Sequence, residues 1–173
     1  MPPGWKIIDS VLTFKTEQIL EQDYDYKGNR DIMYGEEEFE NFELYLEWKI
    51  PKGGNSGIYY HIKEGYGGFA DMAPEYQLLD DENYAEIHDY ELKDWQLTAA
   101  DYAMHVPDTT QKVLYPPGQW NSSRIIFTPN NVEHWLNDKK VLSFIPWTEQ
   151  WYEKRNSGKW DNFPDYGKYK KGY

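Results

Sequence analysis

A chain of 173 residues with 30 acidic and 18 basic side chains carries a net charge of −12. That field repels phosphate backbones and sets nucleic acid aside as a partner. There is no cysteine, which excludes disulfides and thiolate metal sites, and no apolar run approaches the roughly 18 residues of a membrane span.

The length predicts one domain over residues 1–173, able to bury about 70% of the surface its unfolded chain exposes. MPPGWKIID lacks a basic region followed by an apolar core, so no signal peptide is expected in this chain. Aromatic residues make up 18% of a hydrophilic chain, with 16 Tyr and 8 Trp. Rings beyond those a core needs are amphipathic surface of the kind that stacks on sugars, although a β-rich fold favours aromatics too.

Near the start, WKIID and VLTFK read as a hairpin around Ser10, and residues 31–34 as a further strand. FENFELYLEWKI (39–50) alternates without a break. Phe42, Leu44, Leu46, Trp48 and Ile50 share one face, and Glu43, Tyr45, Glu47 and Lys49 the other, so the segment is a strand with one face on a core. PKGGN (51–55) is a turn. In SGIYYHIK (56–63) the alternation sets Ile58, Tyr60 and Ile62 against Tyr59, His61 and Lys63, and glycines at 65–68 allow a loop to fold nearby.

EYQLLD (75–80) is the next strand, with Glu75 and Gln77 on one side and Tyr76, Leu78 and Asp80 on the other. The connection over 81–119 is too long for a plain hairpin, and such loops tend to be functional. SRIIFTP, NVEHWLN and KVLSFI form a meander punctuated by Pro129-Asn130-Asn131 and Asn137-Asp138-Lys139. WTEQWYEKRNSG predicts a short helix ending at Gly158, followed by an irregular aromatic and basic tail. The sum is all-β: a sandwich or barrel with one short C-terminal helix.

Chemistry gathers on the two strands around 55–80. A lone Glu on a strand is usually solvated; Glu75 stands out by its company, Gln77 beside it and the expected Tyr59/His61 face near it. His61, His88, His105 and His134 show no metal-ligand spacing, and His134, in a hairpin beside Trp135, reads as a surface residue. Asp80, Asp81 and Glu82 offer oxygen to calcium but lack the spaced ligands of a calcium loop, so no cofactor or metal is expected. Asn121-Ser122-Ser123 matches a glycosylation sequon.

The blocks FENFELYLEWKI, GGNSGIYYHI, PEYQLLDD, TAADYAMHVP, PGQWNSSRIIF and VEHWLNDKKV, in that order, resemble the 3-keto-disaccharide hydrolase domain family. The resemblance spans nearly the whole chain. It implies a concanavalin A-like jelly-roll β-sandwich of two antiparallel sheets, and cleavage of glycosides whose C3 hydroxyl has already been oxidised to a ketone. A non-catalytic carbohydrate-binding module is the alternative on the same fold. The resemblance also implies a periplasmic or cell-surface location in a bacterium.

Carried over by motif, the site residues are Asn55 and His61 from NSGI, Glu75 and Gln77 from EYQ, Asp80 from LLDD and Tyr102 from ADYAM. His61 stands where many relatives carry Arg. A C3 ketone acidifies the C2 proton, so Glu75 or His61 suits the base, Gln77, Tyr59 or His61 an enolate donor, and Tyr102 or His105 a helper for the leaving group. Relatives usually have one more strand before Gly4-Trp5 and another after Tyr173, which makes self-association through a sheet edge an expectation.

Overall fold

A computed structural model describes residues 4–14, 31–65 and 68–173. The chain divides into two compact units, Met1–Glu36 and Glu37–Tyr173. In the first, β1 (Trp5–Ile8) and β2 (Val11–Phe14) form the expected antiparallel hairpin, with Ile8 opposite Val11. Its two turn residues, Asp9 and Ser10, both have positive φ, 50° and 66°. That is the left-handed turn whose twist suits a two-residue hairpin. The strand expected over 31–34 is not formed; Ile32, Met33 and Tyr34 are all exposed, so nothing rewards their alternation with burial. Lys15 and the glycine loop at 66 and 67 lie outside the described residues.

The second unit is a sandwich. One layer is a four-stranded antiparallel sheet in the order β3 (Phe42–Trp48), β6 (Asn121–Thr128), β7 (Asn131–Leu136), β8 (Lys139–Phe144). The other pairs β4 (Asn55–Tyr59) with β5 (Glu75–Leu79). Period-two patterning does what it should. β6 buries Asn121, Ser123, Ile125 and Phe127 in alternation, and β7 buries Val132, His134 and Leu136. The main core joins these to Trp48, Tyr60, Tyr76 and Leu78. A tight turn at Asn137 and Asp138 (φ 46° and 63°) closes β7 onto β8.

The asparagine of the sequon, Asn121, is 3% exposed. Its side chain bonds to the Tyr115 backbone through both ends and accepts from Asn137, so it is a structural clamp.

The long connection is built rather than loose. It holds α1 (Tyr84–His88), a 3-10 turn at Asp94–Gln96, and a segment at 99–102 that runs beside β5. Ala99 N donates to Gln77 O, Gln77 N to Ala100 O, and Tyr102 N to Glu75 O. These bonds extend the small sheet on its second edge. The expected C-terminal helix is α2 (Glu149–Arg155), capped by the Thr148 hydroxyl, which accepts from Trp151 N. A second apolar cluster forms around Trp151, Trp160, Tyr166 and Met104.

Candidate active site on the small sheet

Register decides which side chains meet. Tyr59 lies opposite Glu75 and Gly57 opposite Gln77, and directly paired residues of an antiparallel ladder share a face. Tyr76 and Asp101, which bridge one another, point the other way. The Tyr76 hydroxyl donates to Trp135 O of the large sheet at 2.9 Å, so that side faces the core. The face away from the core therefore carries Asn55, Gly57 and Tyr59 from β4, Glu75 and Gln77 from β5, and Tyr102 from the added segment.

Hydrogen bonds lock this face. Gln77 Nε2 donates to Asn55 Oδ1 at 3.1 Å, and Asn55 Nδ2 to the Tyr84 hydroxyl at 3.5 Å. Gln96 Nε2 donates to the hydroxyls of Tyr90 (3.1 Å) and Tyr102 (3.5 Å). Trp95 meets Tyr102 edge to face at 5.2 Å. Tyr84, Tyr90 and Gln96 were not singled out by sequence; they come from the long connection, whose length alone marked it.

Glu75 is the unusual group. Burial pushes its carboxyl up to about 7, against the Tyr59 hydrogen bond and the Lys159 charge that lower it, while the Asp101 charge raises it further. It is thus divided between acid and carboxylate near neutral pH, which is where a general base works best. Tyr102 is raised by burial, opposed by its Gln96 bond, with the charge of Glu75 adding to the rise, so it stays a protonated phenol.

Gly57 makes the arrangement possible. A Cβ there would sit 2.0 Å from Glu75 Oε1 and 2.8 Å from its Cδ. Gly57→Ala is therefore expected to displace the carboxylate. A misplacement near 1 Å costs about 10²-fold in rate, so turnover should drop on that scale with the melting transition little changed. Full activity in Gly57→Ala would mean the carboxylate need not sit over that glycine.

His61 is not on this face, contrary to the alternation read from sequence. β4 ends at Tyr59, and His61 takes φ 58°, which turns its side chain toward the core. The ring is 2% exposed, packs against Phe127 at 4.5 Å and Phe42 at 5.7 Å, and Nε2 donates to Glu40 O at 3.1 Å. Burial lowers it to about 4, outweighing the Glu40 and Tyr169 carbonyls that favour the cation. It is neutral and structural where the sequence suggested base or donor.

His134 is corrected likewise. It is fully buried on β7, Nδ1 donates to Ala99 O at 2.9 Å, and burial lowers its pKa.

These two histidines set a pH dependence. Between 6.5 and about 4 the unfolded His61 takes up a proton that the folded ring refuses, so its contribution to stability is lost as pH falls through that window. Glu75 acts in the opposite direction over much of the same range, so the useful reading is a difference. His61→Gln should flatten the loss relative to wild type by up to about 3 kcal/mol in urea titrations across that window. Parallel curves would show that the ring is not buried neutral.

His105 and Asp80 are also elsewhere. His105 Nδ1 donates to Asp101 Oδ2 at 2.8 Å and its ring stacks on Phe144 at 4.2 Å, on the core side of the segment. Asp80 accepts from Gly53 N at 2.8 Å and from Asn83 Nδ2 at 2.9 Å, fixing the turn and the start of α1. Asp81 accepts from Thr98 N and pairs with Lys112. Both acidic residues latch loops together. Among the described residues no group of three or more His, Asp or Glu side chains is placed to hold a metal.

The chain as a whole is similar to known proteins. A model of the 3-keto-alpha-glucoside-1,2-lyase-like domain matches residues 2–173. A Bacteroides thetaiotaomicron protein named 3-keto-disaccharide hydrolase is 34% identical over 178 residues, covering 95% of this chain and 59% of the relative. The chain therefore spans about three fifths of that relative's length. Two solved structures, both titled "putative glycosyl hydrolase" and both from Parabacteroides distasonis ATCC 8503, are similar. One has a TM-score of 0.78 at 40% identity, covering 98% of this chain and 74% of its own; the other has 0.53 at 30%, covering 62% and 52%.

Proposed function

The chain belongs to the 3-keto-alpha-glucoside-1,2-lyase-like domain family, and we propose that its Glu75 face cleaves glycosides or disaccharides carrying a ketone at C3. The observation that carries this reading is Glu75: a buried carboxyl brought to about 7, on a face with Tyr59, Gln77 and Tyr102.

The Glu75 carboxylate takes the C2 proton. The electrons of that C–H bond form C2=C3, and the ketone oxygen becomes an enolate. When the carbonyl re-forms, the pair moves to C1=C2, the C1–O bond breaks, and the departing oxygen takes a proton from the Tyr102 hydroxyl. Water added to C1 of the enone gives net hydrolysis; release of the enone gives the lyase outcome. Asn55 holds Gln77, and Gln96 holds Tyr102, so both polar groups are set before substrate arrives.

Incubation with a 3-keto-disaccharide, followed by mass spectrometry, tests the reading. The keto sugar is expected to disappear while the unoxidised disaccharide survives. Binding of both with loss of neither would make the domain a carbohydrate-binding module.

β3 and β8 are the edges of the large sheet, and self-association through such an edge is checked by sedimentation, where a monomer at all concentrations rejects it. Action in the periplasm or at the cell surface, which the family resemblance implies, is checked by cell fractionation.

A further inference from the structure

We propose that Lys159 is the cation of this site, placing its ammonium on the C3 oxygen of the substrate and stabilising the enolate as Glu75 removes the C2 proton. The inference rests on the reading above and deepens it.

The placement begins with α2. That helix ends at Arg155, and Asn156, Ser157 and Gly158 turn the chain so that Lys159 and Trp160 follow at once. Trp160 is 3% exposed, its indole Nε1 donates to Tyr102 O at 3.2 Å, and its ring stacks on Tyr166 at 4.0 Å. The residue after Lys159 is thus anchored to the very segment that runs beside Glu75. Lys159 itself is on the surface, with Nζ 4.3 Å from the Tyr102 ring centre and 4.5 Å from that of Trp160.

An exposed lysine over a ring is ordinarily a solvated charge, and one such contact is worth only about 0.5–1 kcal/mol. Lys159 differs in three ways. It lies over two rings, of which Tyr102 belongs to the site. Its charge lowers the Glu75 carboxyl, and the Glu75 charge in turn raises its own ammonium. Its partial burial lowers its own pKa, against the opposing pull of Glu75 and Asp71.

The chemistry needs such a group. Enolisation moves a full negative charge to the C3 oxygen. With His61 turned into the core, the remaining donors near Glu75 are neutral, and Gln77 already gives one N–H to Asn55. A charge-assisted hydrogen bond is roughly twice as strong as a neutral one. Base and cation must also lie side by side, because C2 and C3 are adjacent ring atoms. Tyr102 links Glu75 and Lys159: its backbone N–H donates to Glu75 O, and its ring centre lies 4.3 Å from the Lys159 Nζ.

The test is exchange of the C2 hydrogen of a 3-keto-glucoside in heavy water, with the whole chain. Lys159→Met is expected to lower the limiting exchange rate by about 10²–10³-fold, the scale of losing one oxyanion donor, with KM little changed. Lys159→Arg should restore part of it. Removing the cation should also move the pH midpoint for exchange upward, since that charge holds the Glu75 carboxyl down; a lysine that acted only through this charge would leave the limiting rate at high pH unchanged.

Wild-type exchange in Lys159→Met would overturn the assignment, as would a loss that Arg does not relieve and that leaves the midpoint unmoved. A borohydride-trapped adduct on Lys159 would overturn it in favour of an imine with the ketone. A wild-type protein that exchanges nothing would sink the proposed activity itself, and the Lys159 role with it.

Discussion

Glu75→Gln is expected to lower C2 exchange and turnover by about 10²–10⁴-fold, the usual worth of a positioned general base, and to make the protein more stable at the same time. Both effects have one origin. Burial raises the carboxyl from 4.5 to about 7, so over that window the folded protein keeps a proton that the unfolded chain has released. The stabilisation this gives is full below 4.5 and is lost as pH rises through about 7. The carboxamide has no such loss, so the variant should gain on wild type by up to about 3 kcal/mol above pH 7 and by nothing below pH 4.5.

Exchange by the wild type should rise with pH and level off above the same midpoint, because only the carboxylate accepts the proton. Urea titrations at the two ends of the range, with exchange followed by NMR, measure both. Undiminished exchange in Glu75→Gln would remove Glu75 from the mechanism, and a variant no more stable at high pH would show that the carboxyl is not desolvated.

Such a trade of stability for reactivity is legible only in three dimensions. Sequence alternation placed Glu75 and Gln77 on one face of a strand, and register then confirmed Tyr59 as their neighbour. It also marked the core face of β3 and the hairpin meander from β6 to β8, because period two is a local property of the chain.

What alternation cannot show is where a strand stops. His61 is two residues beyond Tyr59 and would share its face if β4 continued. One left-handed φ at His61 ends the pattern and sends the ring into the core. In the same way, only the partner strands reveal that His134 faces inward and Trp135 outward.

The site's second half was hidden for a different reason. Tyr84 and Gln96 lie in single helical turns and Tyr90 and Lys159 in irregular chain, all too short to show a period. Their roles depend on hydrogen bonds from residues 99–102 to β5 and from Trp160 to Tyr102, contacts between positions far apart in sequence. Block order found the family, and the motifs within those blocks included Asn55, Glu75, Gln77 and Tyr102. It also carried His61 and Asp80 along, because a motif records that residues travel together and not which of them faces a substrate.

The largest loss of stability is expected at Tyr76, the residue between Glu75 and Gln77. Its side chain is fully buried on the core side of β5. A polar chain runs through its hydroxyl: Trp48 Nε1 donates to Ser123 Oγ at 2.8 Å, Ser123 Oγ to the Tyr76 hydroxyl at 2.9 Å, and that hydroxyl to Trp135 O at 2.9 Å. Three strands of the large sheet are thereby tied to the strand that carries the site. Every member of the chain has a partner, and removing one leaves buried groups unpaired.

Tyr76→Phe should cost about 1–3 kcal/mol, and Tyr76→Ala, which also opens a cavity, about 3–5 kcal/mol or more. The second figure rivals the whole stability of a small domain. Ser123→Ala combined with Tyr76→Phe should cost less than the two changes summed, because the single variants orphan groups that the double variant removes together. Strict additivity in urea unfolding would show that the hydroxyls do not act as one chain. If the pin also holds β5 in place, Tyr76→Phe will lower C2 exchange although it touches no substrate, whereas exchange unchanged in the folded variant would confine Tyr76 to the core.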